Sequence, residues 1–208
     1  MDRNLFKIME KQIKPIETQY AGRKFRSRLE ARWAAYFDGL GITWDYEPEG
    51  FVLPSGECYL PDFYFPTYKC YGEIKPSNFE EDKRHEEFVK HGEYPLLLFI
   101  GTPGQYPNEI YKKTEKGAVN VHDGYAFADV IWGKDYLFHW DGDSLPETNG
   151  QMNEFLYALH EANTIRFEHG ETKRVESYAK SLSNHKKWDR LRAEFKKLGN
   201  LNAYRALK

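Results

Sequence analysis

Residues Tyr59–Lys75, "YLPDFYFPTYKCYGEIK", read as two strands joined by a short turn near Pro66 to Lys69. Each strand carries charge where a core strand would be apolar: Asp62 in the first, Glu73 and Lys75 in the second. Side chains alternate across a strand, so Glu73 and Lys75 point to one face and Ile74 to the other. A hairpin can bring Asp62 beside Glu73. Two carboxylates that close repel each other and raise one pKa, unless a cation lies between them. Oxygen ligands with open water positions favour Mg²⁺ or Mn²⁺. A lysine two residues beyond a metal-binding glutamate can reach a bound water or a substrate phosphate. These parts together suit phosphodiester hydrolysis. The alternative is a cross-strand ion pair on a solvent-exposed sheet face, worth about 0–1 kcal/mol.

Upstream, residues 22–40 read as a helix, with Phe25, Leu29, Trp33, Tyr36, Phe37 and Leu40 on one apolar stripe and Gly39 and Gly41 closing it. Residues 42–53 look extended, and Pro48 and Gly50 suggest a bulge or bend. Glu47 and Glu49 read as strand-edge charges that discourage pairing. Downstream, Ser77 followed by Glu80 is a capping-box signature for a helix ending near Gly92. "YPLLLFIG" at 94–101 suits a strand covered on both faces. The order is helix, three strands, helix, strand. Beyond Gly101 come a loop, a hairpin over 124–142, a helix over 151–170 and a helical region from Thr172. The organisation expected is a basic segment at 1–20, a core at 21–105, and a hairpin plus helical extension at 106–208 packed on it.

Pro61-Asp62 followed by Glu73-Ile74-Lys75 resembles the signature of the PD-(D/E)xK nuclease superfamily. "FRSRLEARWA…WDYEPEGF…YLPDF…EIKP" also resembles small phage and bacterial endonuclease-like proteins and, more distantly, the endonuclease subunit of heteromeric transposases. The resemblance covers residues 20–101. It implies an α/β fold with a restriction-endonuclease-like core and a Mg²⁺- or Mn²⁺-dependent endodeoxyribonuclease. Asp62 and Glu73 would bind the metal, with the Ile74 carbonyl as a further ligand. Glu30 would complete the site directly or through water, and Lys75 would act on the attacking water. Two other functions stay open: a nuclease-fold protein that binds or inhibits another protein, and a structure-specific resolvase or transposase-type nicking subunit. The latter would work with a partner chain or a second copy of itself.

The charge distribution points to a polyanion. Residues 1–32 carry net +5, residues 33–172 net −15 and residues 173–208 net +8, although the whole chain is only −2. Arg23, Lys24, Arg26 and Arg28 crowd the approach to Glu30, and Lys186, Lys187, Arg190 and Arg192 form a stripe near the end. Both groups are expected to contact DNA phosphates, or else to be solvated surface. The longest apolar run, "PLLLFI" at 95–100, is too short to span a membrane, and the N-terminus lacks the apolar stretch of a signal peptide. A cytoplasmic protein is expected, and the resemblance to phage and bacterial proteins leaves open a phage-encoded one acting in a bacterial host. Two cysteines, Cys58 and Cys70, are expected as reduced thiols. The seven histidines show no metal-ligand spacing.

Overall fold

A computed structural model describes residues 15–105, 108–124, 151–167 and 173–181. The chain enters through a tight hairpin, β1 (Thr18–Tyr20) and β2 (Arg23–Phe25), with Tyr20 opposite Arg23. Its two-residue loop, Ala21-Gly22, has φ of 52° and 76°, the left-handed pair that matches strand twist. Helix α1 (Arg28–Gly39) follows. The apolar stripe predicted over 22–40 is therefore split: its first member, Phe25, is a fully buried strand residue, and the helix starts later. The cause is local. Ser27 is the N-cap and accepts the Glu30 N–H at 3.1 Å, and the Glu30 carboxylate turns back to the Arg26 N–H. At the other end Gly41, at φ 73°, donates to the Asp38 carbonyl and Ile42 donates to the Phe37 carbonyl. That pair of bonds is a Schellman stop.

The predicted extended stretch 42–53 forms two short strands in different sheets, β3 (Asp45–Tyr46) and β4 (Phe51–Val52). Pro48 and Gly50 lie between them. β4 pairs with β5 (Cys58–Tyr59) in a separate hairpin. Next come β6 (Phe63–Phe65) and β7 (Cys70–Lys75), antiparallel, with Phe63 opposite Gly72. Helix α2 (Lys83–His91) begins at Asp82, whose carboxylate accepts the Arg84 N–H. The predicted Ser77 cap is not used; residues 76–82 are turn and irregular chain, and Gly92 ends the helix as expected. β8 (Leu96–Ile100) runs parallel to β7. β9 (Asn108–Lys113) and β10 (Val119–Gly124), a hairpin absent from the sequence reading, complete the main sheet. The predicted hairpin over 124–142 lies outside the described residues, apart from Gly124 at the end of β10.

The main sheet is mixed, in the order β10-β9-β8-β7-β6-β3. One face packs Phe63, Phe65, Ile74, Leu97 and Phe99 against Trp33 and Phe37 of α1. The opposite face packs Tyr71, Leu96, Leu98 and Tyr111 against Phe88 and Val89 of α2. The protein is thus a mixed α/β structure with helices on both sides of the sheet.

Behind α1 lies α3 (Gln151–Thr164), shorter than the expected 151–170. Gly39 permits the contact, since a Cβ there would stand 2.8 Å from the Ala158 Cα. Arg32 donates from its guanidinium to the Ala162 and Ile165 carbonyls, capping the end of α3. A buried network ties residues 174–175 to the core. Asp38 accepts from Tyr20 at 2.8 Å, Trp44 at 3.0 Å and Arg174 at 3.0 Å, while the Val175 N–H donates to the Tyr20 hydroxyl. A short α4 (Tyr178–Ser181) follows. Lys186, Lys187, Arg190 and Arg192 lie outside the described residues. No helix among those described is long and apolar enough to cross a membrane. Cys58 is exposed and Cys70 buried, and both are free thiols.

Candidate active site

Register places the acidic pair. With Phe63 opposite Gly72, the next position outward on each strand is Asp62 and Glu73. Phe63 and Phe65 belong to the α1 face, so Asp62 and Glu73 share the α2 face with Tyr71 and Lys75. The Asp62 carboxylate accepts the Ile74 N–H at 2.7 Å, and its backbone carbonyl accepts the Glu47 N–H at 2.8 Å. Asp62 therefore fastens the mouth of the hairpin to both neighbouring segments.

Glu73 and Lys75 form an ion pair at 2.7 Å along the same strand. The solvent-exposed cross-strand pair considered from sequence is corrected on both counts: the charges sit side by side on one strand, and Glu73 is buried. The other Glu73 oxygen accepts from the Tyr59 hydroxyl at 3.2 Å. Glu30 arrives from the first turn of α1. It accepts from Ser27 Oγ at 2.6 Å, the Arg26 N–H at 3.1 Å and the Tyr46 hydroxyl at 2.6 Å. Glu30, Asp62 and Glu73 are each only 8–9% exposed, so water does little to screen their repulsion.

That repulsion appears in Asp62. Burial pushes its carboxyl well above the usual range, and the Glu73 and Glu30 carboxylates push it further. The Ile74 N–H and the Lys75 ammonium oppose the rise without cancelling it. Tyr59 is raised by burial and then by Glu73 and Asp62, so its phenol stays a proton donor. The four residues singled out from sequence, Glu30, Asp62, Glu73 and Lys75, thus act on one another electrostatically. Ile74 contributes its N–H to Asp62, and its side chain packs in the α1-side core.

The nearby basic residues have specific partners. Arg26 is ion-paired with Glu47, Lys24 with Glu17 at 2.6 Å, and Arg23 lies over the Trp44 ring at 5.5 Å. Arg23, Lys24 and Arg26 remain exposed, and Arg28 is half-buried.

Three neighbours, Tyr46, Tyr59 and His85, were not assigned to the site from sequence, and Glu47 and Glu49 were read there as strand-edge charges. Glu47 instead follows the end of β3 at φ 46°, a left-handed conformation for a non-glycine residue. Burial raises its carboxyl, Arg26 opposes, and Glu30 and Glu73 add to the rise. Glu49 accepts from the Tyr71 hydroxyl at 2.6 Å. Tyr46 and Tyr59 each donate to a site carboxylate. His85, on α2, is fully buried, and neither ring nitrogen has a hydrogen-bond partner. Alternation of Tyr46 with Trp44 was a signal for the first tyrosine; nothing in local sequence marks His85.

Among the described residues, no three His, Cys, Asp or Glu side chains stand arranged as ligands to one ion. Lys75 occupies one Glu73 oxygen, and hydrogen bonds hold both Glu30 oxygens. The chemistry of the set still fits a small hard cation. Lys75 is ion-paired with Glu73 and offsets only part of the rise in Asp62, and a divalent ion would relieve the remaining repulsion. No protein-family model matches the chain, and no curated protein matches it in sequence.

Proposed function

We propose that the protein is a metal-dependent nuclease with a restriction-endonuclease-like core, cutting phosphodiester bonds in DNA as an endonuclease. The observation that carries this reading is the buried cluster at the β6–β7 mouth, where the Glu73 and Glu30 carboxylates add to the burial that raises Asp62, and Lys75 is ion-paired with Glu73. The element order supports it: α1, then β3, β6 and β7 as an antiparallel meander, then α2, then β8 parallel to β7. The β4–β5 hairpin is an insertion in that order.

Asp62 and Glu73 are the residues that would hold Mg²⁺ or Mn²⁺, with the Ile74 carbonyl and Glu30 completing the set directly or through water. Such an ion supplies Lewis acidity and lowers the pKa of a bound water. Tyr59 fixes one Glu73 oxygen, which limits the carboxylate to few orientations. Lys75 keeps an ammonium on the face where negative charge develops as water attacks phosphorus, and charge stabilisation there lowers the barrier. Arg23, Lys24 and Arg26 provide exposed cations beside the site for phosphate contacts. Lys186, Lys187, Arg190 and Arg192 extend that role in sequence.

The test is incubation with linear, circular, branched and single-stranded DNA and with RNA, in Mg²⁺ or Mn²⁺ and again in EDTA. Cleavage that EDTA abolishes supports the reading. One observation favours a second reading, a nuclease-fold protein that binds or inhibits another protein: both Glu30 oxygens are already engaged by donors within the chain. Stable binding with no cleavage of any substrate in either metal would select it.

A further inference from the structure

His85 is anomalous for a core residue. It is fully buried, and both Nδ1 and Nε2 lack a hydrogen-bond partner. Buried polar groups in folded proteins are nearly always paired, and an exception calls for an explanation. An apolar ring would fill the same space between Tyr59 and Tyr111, whose ring centroids lie 6.0 and 5.8 Å away, without leaving polar atoms stranded. The position nevertheless carries an imidazole.

The surroundings show what the imidazole can do. Nε2 stands 3.9 Å from Asp82 Oδ2, beyond hydrogen-bond length but facing a carboxylate. Asp82 is itself fixed, since it caps α2 through the Arg84 N–H and holds the Arg84 guanidinium at 2.6 Å. A proton on Nε2 therefore lies toward Asp82, which leaves Nδ1 as a lone-pair acceptor. The charged and titratable groups around the ring are Lys75 on β7, Tyr59 on β5, Tyr111 on β9, and Asp82 and Arg84 at the start of α2. Burial and then the Lys75 ammonium hold the ring unprotonated, down to about 4. It is an acceptor across the neutral range.

Lys75 has a matching conflict. Its ammonium occupies a Glu73 oxygen at 2.7 Å, which is the oxygen a bound cation would compete for. We infer that His85, oriented by Asp82, is a positioning residue for Lys75: its imidazole accepts the ammonium when Glu73 turns to a divalent cation. This rests on the nuclease reading and adds to it a destination for the displaced lysine. The exchange would give the stranded imidazole its missing partner and keep the ammonium on the α2 face.

The experiment is ¹⁵N NMR of the His85 ring nitrogens in the full chain during a Mg²⁺ titration, with calorimetry on the same samples. Mg²⁺ should move the Nδ1 resonance upfield in the wild type and leave it unmoved in Lys75→Met. Nitrogens that ignore bound Mg²⁺, or that move equally in Lys75→Met, overturn the inference and leave the nuclease reading standing. No Mg²⁺ binding at all removes both. A second arm uses His85→Phe, which keeps the ring packing. It should melt at or above the wild-type temperature while cleavage falls about 10- to 100-fold, the usual cost of losing an orienting partner. His85→Gln, which restores an acceptor, should recover part of the rate. A His85→Phe variant that cuts at the wild-type rate overturns the inference.

Discussion

The two faces of the central sheet are built on opposite terms. On the α1 face Phe37 touches Trp33, Phe63, Phe65 and Phe99 with ring centroids 5.0–5.8 Å apart, and each of those rings is at most 2% exposed. The α2 face is less dry, and it holds the buried Asp62 and Glu73, the half-buried Lys75 and a fully buried, unpaired imidazole. The first face removes apolar area from water and packs it closely, which stabilises. The second keeps ionisable groups where their charged forms are disfavoured, which costs stability. Proteins break packing rules of this kind at functional sites. On the proposed reading, that difference puts the chemistry on the α2 face.

Four measurements probe that contrast. Phe37→Ala should cost about 3–5 kcal/mol, measured by denaturant unfolding, because a large ring leaves a site walled by other rings. A loss below about 1 kcal/mol would mean that the α1 face is loosely packed.

The second probe is pH. The folded chain binds the His85 proton more weakly than the unfolded chain, because its value falls from the ordinary 6.5 to about 4. Stability carried by the neutral ring is therefore lost as pH drops through that window, by on the order of 3 kcal/mol. Asp62 has the opposite sign, since its raised carboxyl takes up a proton more readily in the folded state. Subtracting the His85→Phe profile from the wild-type profile isolates the histidine contribution. A flat difference between pH 6.5 and 4 would contradict the burial described here.

Third, Asp62→Asn should leave stability unchanged or raise it by up to about 1–2 kcal/mol while abolishing Mg²⁺ binding, since a crowded buried charge is removed. A large loss of stability would place Asp62 with the structural face. Fourth and smallest, Lys24→Ala removes an ion pair whose two side chains are 62% and 65% exposed. It should shift stability by less than about 1 kcal/mol.

Much of this contrast was legible in the sequence. "PLLLFI" marked a central strand because it is apolar at every position, and β8 is buried on both faces. Gly41 marked the end of α1 because only a left-handed residue closes it this way. Alternation put Glu73 and Lys75 on one face, while the place of Asp62 beside Glu73 depends on the hairpin register. Other features depend on tertiary context. Phe25 falls on a helical spacing by coincidence, and the Ala21-Gly22 turn makes it a strand residue. Ser27 caps α1, whereas Asp82 rather than Ser77 caps α2 and sets its start. β9 carries Glu109, Lys112 and Lys113 among its apolar positions, so its period was hidden, although Gly117 at φ 79° was a turn signal. The burial of His85 has no local signature, because Tyr59 and Tyr111 come from distant strands.

The central claim is that the α2-face cluster hydrolyses phosphodiesters with Lys75 acting in the transition state. It is tested most directly by comparing turnover of circular DNA by wild type and Lys75→Ala at saturating Mg²⁺, with Mg²⁺ affinity measured alongside. Interactions that strengthen only in the transition state show up in rate, and losing one such donor typically costs about 10²–10³ in turnover. The account predicts wild-type cutting, a loss of that size in Lys75→Ala, and Mg²⁺ affinity retained in the variant. Cutting by Lys75→Ala at the wild-type rate would contradict it.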